Sequence, residues 1–247
     1  MKNKSKDLCE FLEWDSEFFA SRIASVCTET VNESEILQIL QWTKENKIDC
    51  LYFLADSKSN QTIRLLEKNN FHLVDIRVTL EKKISAIIEN TGHSDSVVRL
   101  ATPKDIDQLR SIASVNHRDS RFYFDGHFLE QKCDELFALW IEKSCQGFAD
   151  AVFVTEDQNE IEGYITCSID KQNKGNIGLL GVASKSQGKG VGKTLINKAL
   201  YWFNDQMVKS VSVVTQGRNV KAQRLYQKNG FITESLKIWY HYWSNEI

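Results

Sequence analysis

Ile177-Gly178-Leu179-Leu180-Gly181-Val182-Ala183 leads through Gln187-Gly188-Lys189-Gly190-Val191-Gly192-Lys193 into the apolar-periodic run Thr194 to Phe203. The order reads as strand, glycine-rich turn, helix. Glycines at 188, 190 and 192 carry no Cβ, so the backbone can turn tightly and approach a ligand closely. The helix that follows opens on unpaired N–H groups and the positive end of its dipole. A phosphate or pyrophosphate suits that place, with Lys189 and Lys193 adding charge at its mouth. The spacing matches neither the dinucleotide fingerprint nor the P-loop. Alone, such a turn is about as often only a turn.

A second pattern follows. The apolar run Val211-Ser212-Val213-Val214-Thr215 precedes Gln216-Gly217-Arg218-Asn219-Val220-Lys221-Ala222-Gln223-Arg224-Leu225-Tyr226-Gln227-Lys228-Asn229-Gly230-Phe231, which reads as strand, turn and short helix stopped at Gly230. Q-x-x-G-x-G (Gln187, Gly190, Gly192), then a strand, then N-x-x-A-x-x-L-Y-x-K-x-G-F (Asn219, Ala222, Leu225, Tyr226, Lys228, Gly230, Phe231) resembles the GNAT superfamily of acyl-CoA-dependent N-acyltransferases.

The resemblance implies an α/β (α+β) GNAT fold, a mixed central sheet flanked by helices, with acetyl-CoA as co-substrate and no metal. It implies that Gln187, Gly188, Lys189, Gly190, Val191, Gly192 and Lys193 hold the CoA pyrophosphate. Leu180, Gly181 and Val182 would pair with the pantetheine arm, a backbone N–H near Val182 polarising the thioester carbonyl. Asn219 would lie near the pantetheine, and Tyr226 would protonate the departing thiolate. A phenol of reference pKa about 10 keeps its proton at neutral pH and can share it with a developing thiolate, whose conjugate acid lies near 8.5.

The 247 residues, with net charge −2, have ordinary globular composition and room for one large or two small domains, and point to neither nucleic acid nor an anionic membrane as partner. Cys9, Cys27, Cys50, Cys133, Cys145 and Cys167 show no metal-ligand spacing, and Met1–Asp7 is not followed by a signal-peptide core. A reduced, cytoplasmic protein is the simplest expectation.

The polar stretch Glu89-Asn90-Thr91-Gly92-His93-Ser94-Asp95-Ser96 divides the chain into an expected front domain, 1–90, and a catalytic domain, 97–247. The latter opens with a strand at Val97–Ala101, Thr102 as N-cap, Pro103 at the first helical position and Asp105 closing a capping box. Helices at Lys104–Ala113 and Leu129–Lys143 and strands at Ala151–Thr155 and Gly163–Ile169 are expected before the CoA-type segment. Sliding the chain by 160 residues lays Glu33–Glu81 on Lys193–His241 without a gap, with R-L-x-x-K-N-x-F shared at Arg64–Phe71 and Arg224–Phe231. The front thus reads as a degenerate GNAT-like half-domain. It has Leu66 where the second copy has Tyr226, and no glycine before Glu33, so it should not bind CoA.

Within the superfamily, Phe11–Phe19, Asp119–Tyr123 and Leu139–Glu142 resemble the TDP-fucosamine acetyltransferase group, which implies the amine of a dTDP-4-amino-4,6-dideoxyhexose as acceptor, in bacterial surface polysaccharide synthesis. Arg121 can meet a phosphate bidentately, while Phe122 and Tyr123 can stack on a base or sugar. The simpler reading of Ser120–Phe128 is a loop packing aromatic anchors onto the domain; either way it should border the acceptor cleft. His117 and His127 have the right ordinary pKa for a base, and neither is singled out. Another small amine, an amino acid or a protein N-terminus remains open as acceptor, as does a non-catalytic CoA-binding module. Homodimer pairing through the front half-copy or a sheet edge also fits.

Overall fold

The computed structural model describes residues 8–84 and 97–245; the expected boundary at Glu89–Ser96 lies outside the described residues. Along the chain come β1 (Cys9–Phe11), α1 (Glu13–Phe19), β2 (Ile23–Val26), α2 (Glu33–Glu45), β3 (Cys50–Asp56), α3 (Asn60–Lys68) and β4 (His72–Lys83). Then follow β5 (Val97–Leu100), a 3₁₀ turn (Pro103–Asp105), α4 (Ile106–Asn116), α5 (Arg121–Asp125), α6 (Glu130–Lys143), β6 (Ala151–Asp157), β7 (Glu160–Ile169) and β8 (Gly175–Val182). The last four are α7 (Val191–Asp205), β9 (Ser210–Gln216), α8 (Val220–Lys228) and β10 (Ile232–Trp243).

These elements form two compact units that are not contiguous in sequence: residues up to 77, with 120–128 and from 236 onward, and residues 78–119 with 129–235. β4 and β10 each give residues to both.

The second unit is the expected mixed sheet with helices on it. Its strands run β4-β9-β8-β7-β6-β5, antiparallel from β5 to β8 and parallel between β8 and β9. Leu195, Ile196, Ala199, Leu200 and Phe203 of α7 recur at helical spacing and are buried with Phe153, Ile165, Cys167, Ile177, Val211 and Val213 of the strands. α4 packs on α6 and on β7 and β8. Thr102 and Asp105 form the expected capping box, and Asp105 also accepts from both terminal guanidinium nitrogens of Arg99, at 2.7 and 2.9 Å.

In the front unit the strands run β1-β2-β3-β10, with β2 and β3 parallel and β3 and β10 antiparallel from Asp56↔Lys237 to Cys50↔Trp243. Residues 120–128 belong here because Asp125, whose carboxylate is 2% exposed, accepts from His241 Nδ1 and from Trp243 Nε1 at 3.1 Å. The stretch expected as a loop contains the single helical turn α5, stopped by Gly126 at φ 85°.

The repeat is structural as well as sequential. Moved by 160 positions, β3, α3 and β4 coincide end for end with β9, α8 and β10. Ser59 caps α3 by accepting from Thr62 N–H, and Asn219 caps α8 by accepting from Ala222 N–H. The amides of Asn69 and Asn229 donate to Leu65 and Leu225 carbonyls, both at 2.7 Å. The chain then turns through φ 60° at Asn70 and φ 81° at Gly230.

Candidate active site

α7 begins at Val191, three residues earlier than the apolar periodicity suggests, so Gly192 and Lys193 belong to its first turn. Gly188 (φ 80°) and Gly190 (φ 90°) hold the left-handed conformation the turn needs, and a Cβ on either would meet nothing within 4 Å. Gly192 is small for a different reason: a Cβ there would come 2.9 Å from Leu225 Cδ2, so it is the point where α7 closes on α8. Gly190 is the N-cap and has no side chain with which to accept from the first amides of the helix. An open turn ending at uncapped helical N–H groups fits a pyrophosphate. Gln187, Lys189 and Lys193 are exposed around it, whereas Val191 buries its side chain and has only its amide to offer.

β8 and β9 are laddered at Gly175↔Val211, Asn176↔Ser212 and Ile177↔Val213. Beyond these, no ladder pair joins the two strands among the described residues, although β8 continues to Val182 and β9 to Gln216. The register of β7 against β8 shifts at the same level, where Leu179 N–H turns to Thr166 Oγ1 at 2.8 Å. A gap between diverging strands results. Gly163↔Val182 is a non-hydrogen-bonded pair, since the neighbouring Ala183 N–H goes to Glu162 O, so Val182 turns both its backbone polar groups away from β7. By the same alternation Leu180 faces the same way, as an arm pairing with this edge requires. Gln187 Nε2 donates to Val182 O at 3.3 Å, and Val182 N–H donates to Asn116 Oδ1 at 3.3 Å. Gly181 is buried against the Tyr164 ring, and Tyr164 Oη bonds His117 Nε2 at 2.9 Å.

Tyr226 is 5% exposed, with its ring edge-on to Phe231 at 5.8 Å. Burial raises its pKa above the ordinary tyrosine value, so the phenol stays protonated throughout the neutral range. Asn219 Oδ1 accepts from Ala222 N–H at 3.0 Å, a helix cap that by itself accounts for the oxygen.

The corresponding places of the front copy are filled by its own chain. Asn32 Oδ1 accepts from the Ser34 and Glu35 amides, and Glu35 returns to the Asn32 N–H, so α2 has its first amides satisfied. Asp56 N–H donates to Glu29 O, and Val31 N–H to Thr62 Oγ1. The first amides of α2, unlike those of α7, are thus engaged by side chains of their own turn.

Arg121, Phe122 and Tyr123 belong to the front unit. The Arg121 guanidinium carbon lies 4.0 Å from the Trp239 ring centroid, 4.4 Å from that of Tyr52 and 4.5 Å from that of Phe122, and its Nη1 is buried without a hydrogen-bond partner. Burial lowers its pKa. Phe122 is buried against Phe19 and Phe128, so aromatic anchoring describes it better than an exposed stacking platform. His117 is held near pKa 4 by burial and cannot serve as a base that gains protons near neutrality. His127 is exposed, bonds Asp125 Oδ1 through Nδ1 at 2.8 Å and stacks on Trp243. Among the described residues, no group of three or more His, Cys, Asp or Glu could hold a metal ion, and no helix is long and apolar enough to cross a membrane.

The acetyltransferase (GNAT) family model matches residues 111–231, which contain the glycine turn, the diverging strands and Tyr226. The chain carries a GNAT acetyltransferase domain. With it, the protein is an acyl-CoA-dependent N-acetyltransferase. It is 26% identical to the dTDP-fucosamine acetyltransferase of Escherichia coli O6:H1 (strain CFT073), over 93% of this chain and 96% of that one. It is also 26% identical to the spore coat polysaccharide biosynthesis protein SpsD of Bacillus subtilis (strain 168), over 57% of this chain; the match spans 48% of that relative's length. A GCN5-related N-acetyltransferase from Sphaerobacter thermophilus has the same fold, with TM-score 0.70 and 15% identity over 95% of this chain and 76% of that one.

Asn116, His117 and Tyr164 were not legible as one group. A polar pair closing a helix and a tyrosine in an apolar strand carry no local signal of meeting; a longer reach of the α4 helix to Asn116 is what brings them together.

Proposed function

We propose that the protein transfers the acetyl group of acetyl-CoA directly to the amine of a dTDP-4-amino-4,6-dideoxyhexose such as dTDP-fucosamine, in the cytoplasm, for a bacterial surface polysaccharide. The observation that carries the acceptor class is the likeness to the E. coli dTDP-fucosamine acetyltransferase, which extends through the front half-copy as well as the acetyltransferase domain.

Bound acetyl-CoA supplies an activated acyl carbon: the amine forms the new C–N bond, the C–S bond breaks, one proton leaves nitrogen and one reaches sulfur. In this reading the amides from Gly188 to Gly192 hold the pyrophosphate, with Lys189 and Lys193 adding charge. Leu180 to Val182 align the pantetheine along the edge of β8, and Val182 N–H donates to the carbonyl oxygen as it gains charge. Tyr226 gives its proton, or a hydrogen bond, to sulfur. For the acceptor, Arg121, with its Nη1 buried and without a hydrogen-bond partner, and its neighbours Phe122 and Tyr123 stay the candidates the resemblance offers. No covalent enzyme intermediate is required.

The test is incubation with acetyl-CoA and a panel of dTDP-amino sugars, simple amines, amino acids and peptides, following CoA release and product mass. Acetylation confined to a dTDP-4-amino-6-deoxyhexose is the expected result. Turnover of another amine alone, with the sugars inert, overturns the acceptor and leaves the transferase.

A further inference from the structure

The N–H of Val182 faces the gap between β8 and β9, and it is already engaged. Asn116, the last residue of α4, accepts from it through Oδ1 at 3.3 Å. The amide orientation is fixed by a second bond, because Asn116 Nδ2 donates to Ile112 O of its own helix at 2.8 Å; reversing the amide would break both. The next residue secures the same helix end: His117 bonds Tyr164 Oη and stacks on Phe137 at 4.5 Å, while the Tyr164 ring lies against Gly181. Asn116 is therefore a pre-positioned acceptor on a clamped helix end. The bond to Val182 is long for N–H···O, and so readily exchanged.

We propose that Asn116 is a positioning residue that holds the Val182 amide in the absence of acyl donor and yields it to the thioester carbonyl when acetyl-CoA binds. This rests on the reading of Val182 as the carbonyl donor. The physical reason is that a half-buried N–H left without acceptor is costly, so a site that keeps water out needs a substitute acceptor until the substrate arrives. Exchange of one acceptor for another then costs little, and it occurs only with ligands that bring a thioester carbonyl to this N–H.

The consequence is specific to the acyl group. CoA has no thioester carbonyl and leaves Asn116 on Val182, whereas acetyl-CoA must displace it. Dissociation constants of CoA and acetyl-CoA are measured by calorimetry for wild type, Asn116→Ala and Asn116→Asp, with thermal unfolding reporting that each variant is folded. Removing the competitor in Asn116→Ala should raise the preference for acetyl-CoA over CoA by roughly 2- to 10-fold, the worth of one hydrogen bond. The carboxylate of Asn116→Asp, a stronger acceptor, should lower it. An unchanged preference in a folded variant overturns the role of Asn116 while leaving the CoA site intact. Failure of wild type to bind either ligand overturns the CoA reading, and the inference with it.

Discussion

Replacing Gly181 by alanine should damage the protein through one neighbour. A Cβ at this position would stand 2.5 Å from Tyr164 Cε1, 2.6 Å from Cζ and 2.8 Å from Oη. Carbon atoms rest about 3.5–4.0 Å apart at contact, so an ångström or more of movement is required. Tyr164 is fully buried and tethered to His117, and Gly181 is held in register opposite it on β8, so neither can withdraw cheaply. Overpacking costs about 1–3 kcal/mol, and this geometry belongs at the upper end, about 3 kcal/mol. For a chain of this size that is a fall in Tm of roughly 6–12 °C. Differential scanning calorimetry reads it directly. Gly181→Ala combined with Tyr164→Leu, which removes the ring, should recover part of the loss relative to Tyr164→Leu alone. A Gly181→Ala protein melting within about 1 °C of wild type refutes the packing of Tyr164 under β8.

Tyr226→Phe keeps the buried ring and removes the proposed acid: kcat should fall about 10²- to 10⁴-fold while the acetyl-CoA dissociation constant stays within about twofold, read by steady-state kinetics and calorimetry. Because burial raises the Tyr226 pKa, the neutral form persists as pH rises, and wild-type kcat should show no falling limb from this group up to about pH 10. Gly190→Ala meets no atom within 4 Å, so its cost is the left-handed backbone alone, about 1–2 kcal/mol, and CoA binding should weaken as the turn relaxes. Asp105 is held at about 2 by hydrogen bonds from Arg99 and Thr102. Its folded pKa lies below the unfolded value, so its stabilisation is present above about pH 4 and is lost as pH falls toward 2. Melting curves of wild type and Asp105→Asn between those limits should converge as pH falls; parallel curves would exclude this linkage.

The parts of the fold legible beforehand are those fixed by local chemistry. Pro103 after Thr102, Gly190 before a periodic run and Gly230 after one each dictate backbone angles at their own position, and the elements they punctuate begin and end within a turn of the expected places. The repeat was legible for the same reason, since Asn69 and Asn229 cap equivalent helices by equivalent bonds. What escaped depends on partners far away in sequence. Periodicity could not separate Gly192, small because of Leu225, from Gly188 and Gly190, small because of their own φ. Nor could it say that Arg121 would enter a box of Tyr52, Phe122 and Trp239, contributed by three separate segments. The positions of the glycine turn lie in one continuous segment and carry a pattern, whereas Asn116 meets Val182 across 66 residues and carries none.

The antiparallel pairing of β3 with β10 sets a schedule for synthesis. Ser57 Oγ donates to Leu236 O across 179 residues, and the register continues to Cys50↔Trp243. A ribosome releases the chain in order, so β3 emerges with one edge unmatched and stays so while everything up to β10 is made. At about 5–20 residues per second that is an interval of roughly 10–40 s. During it, a strand of the sequence Cys-Leu-Tyr-Phe-Leu-Ala-Asp offers an apolar, unpaired edge to any other nascent chain. A strand made early is thus among the last to be finished, and the yield of folded protein in the cell should depend on chaperone occupancy of that strand more than on the stability of the completed molecule.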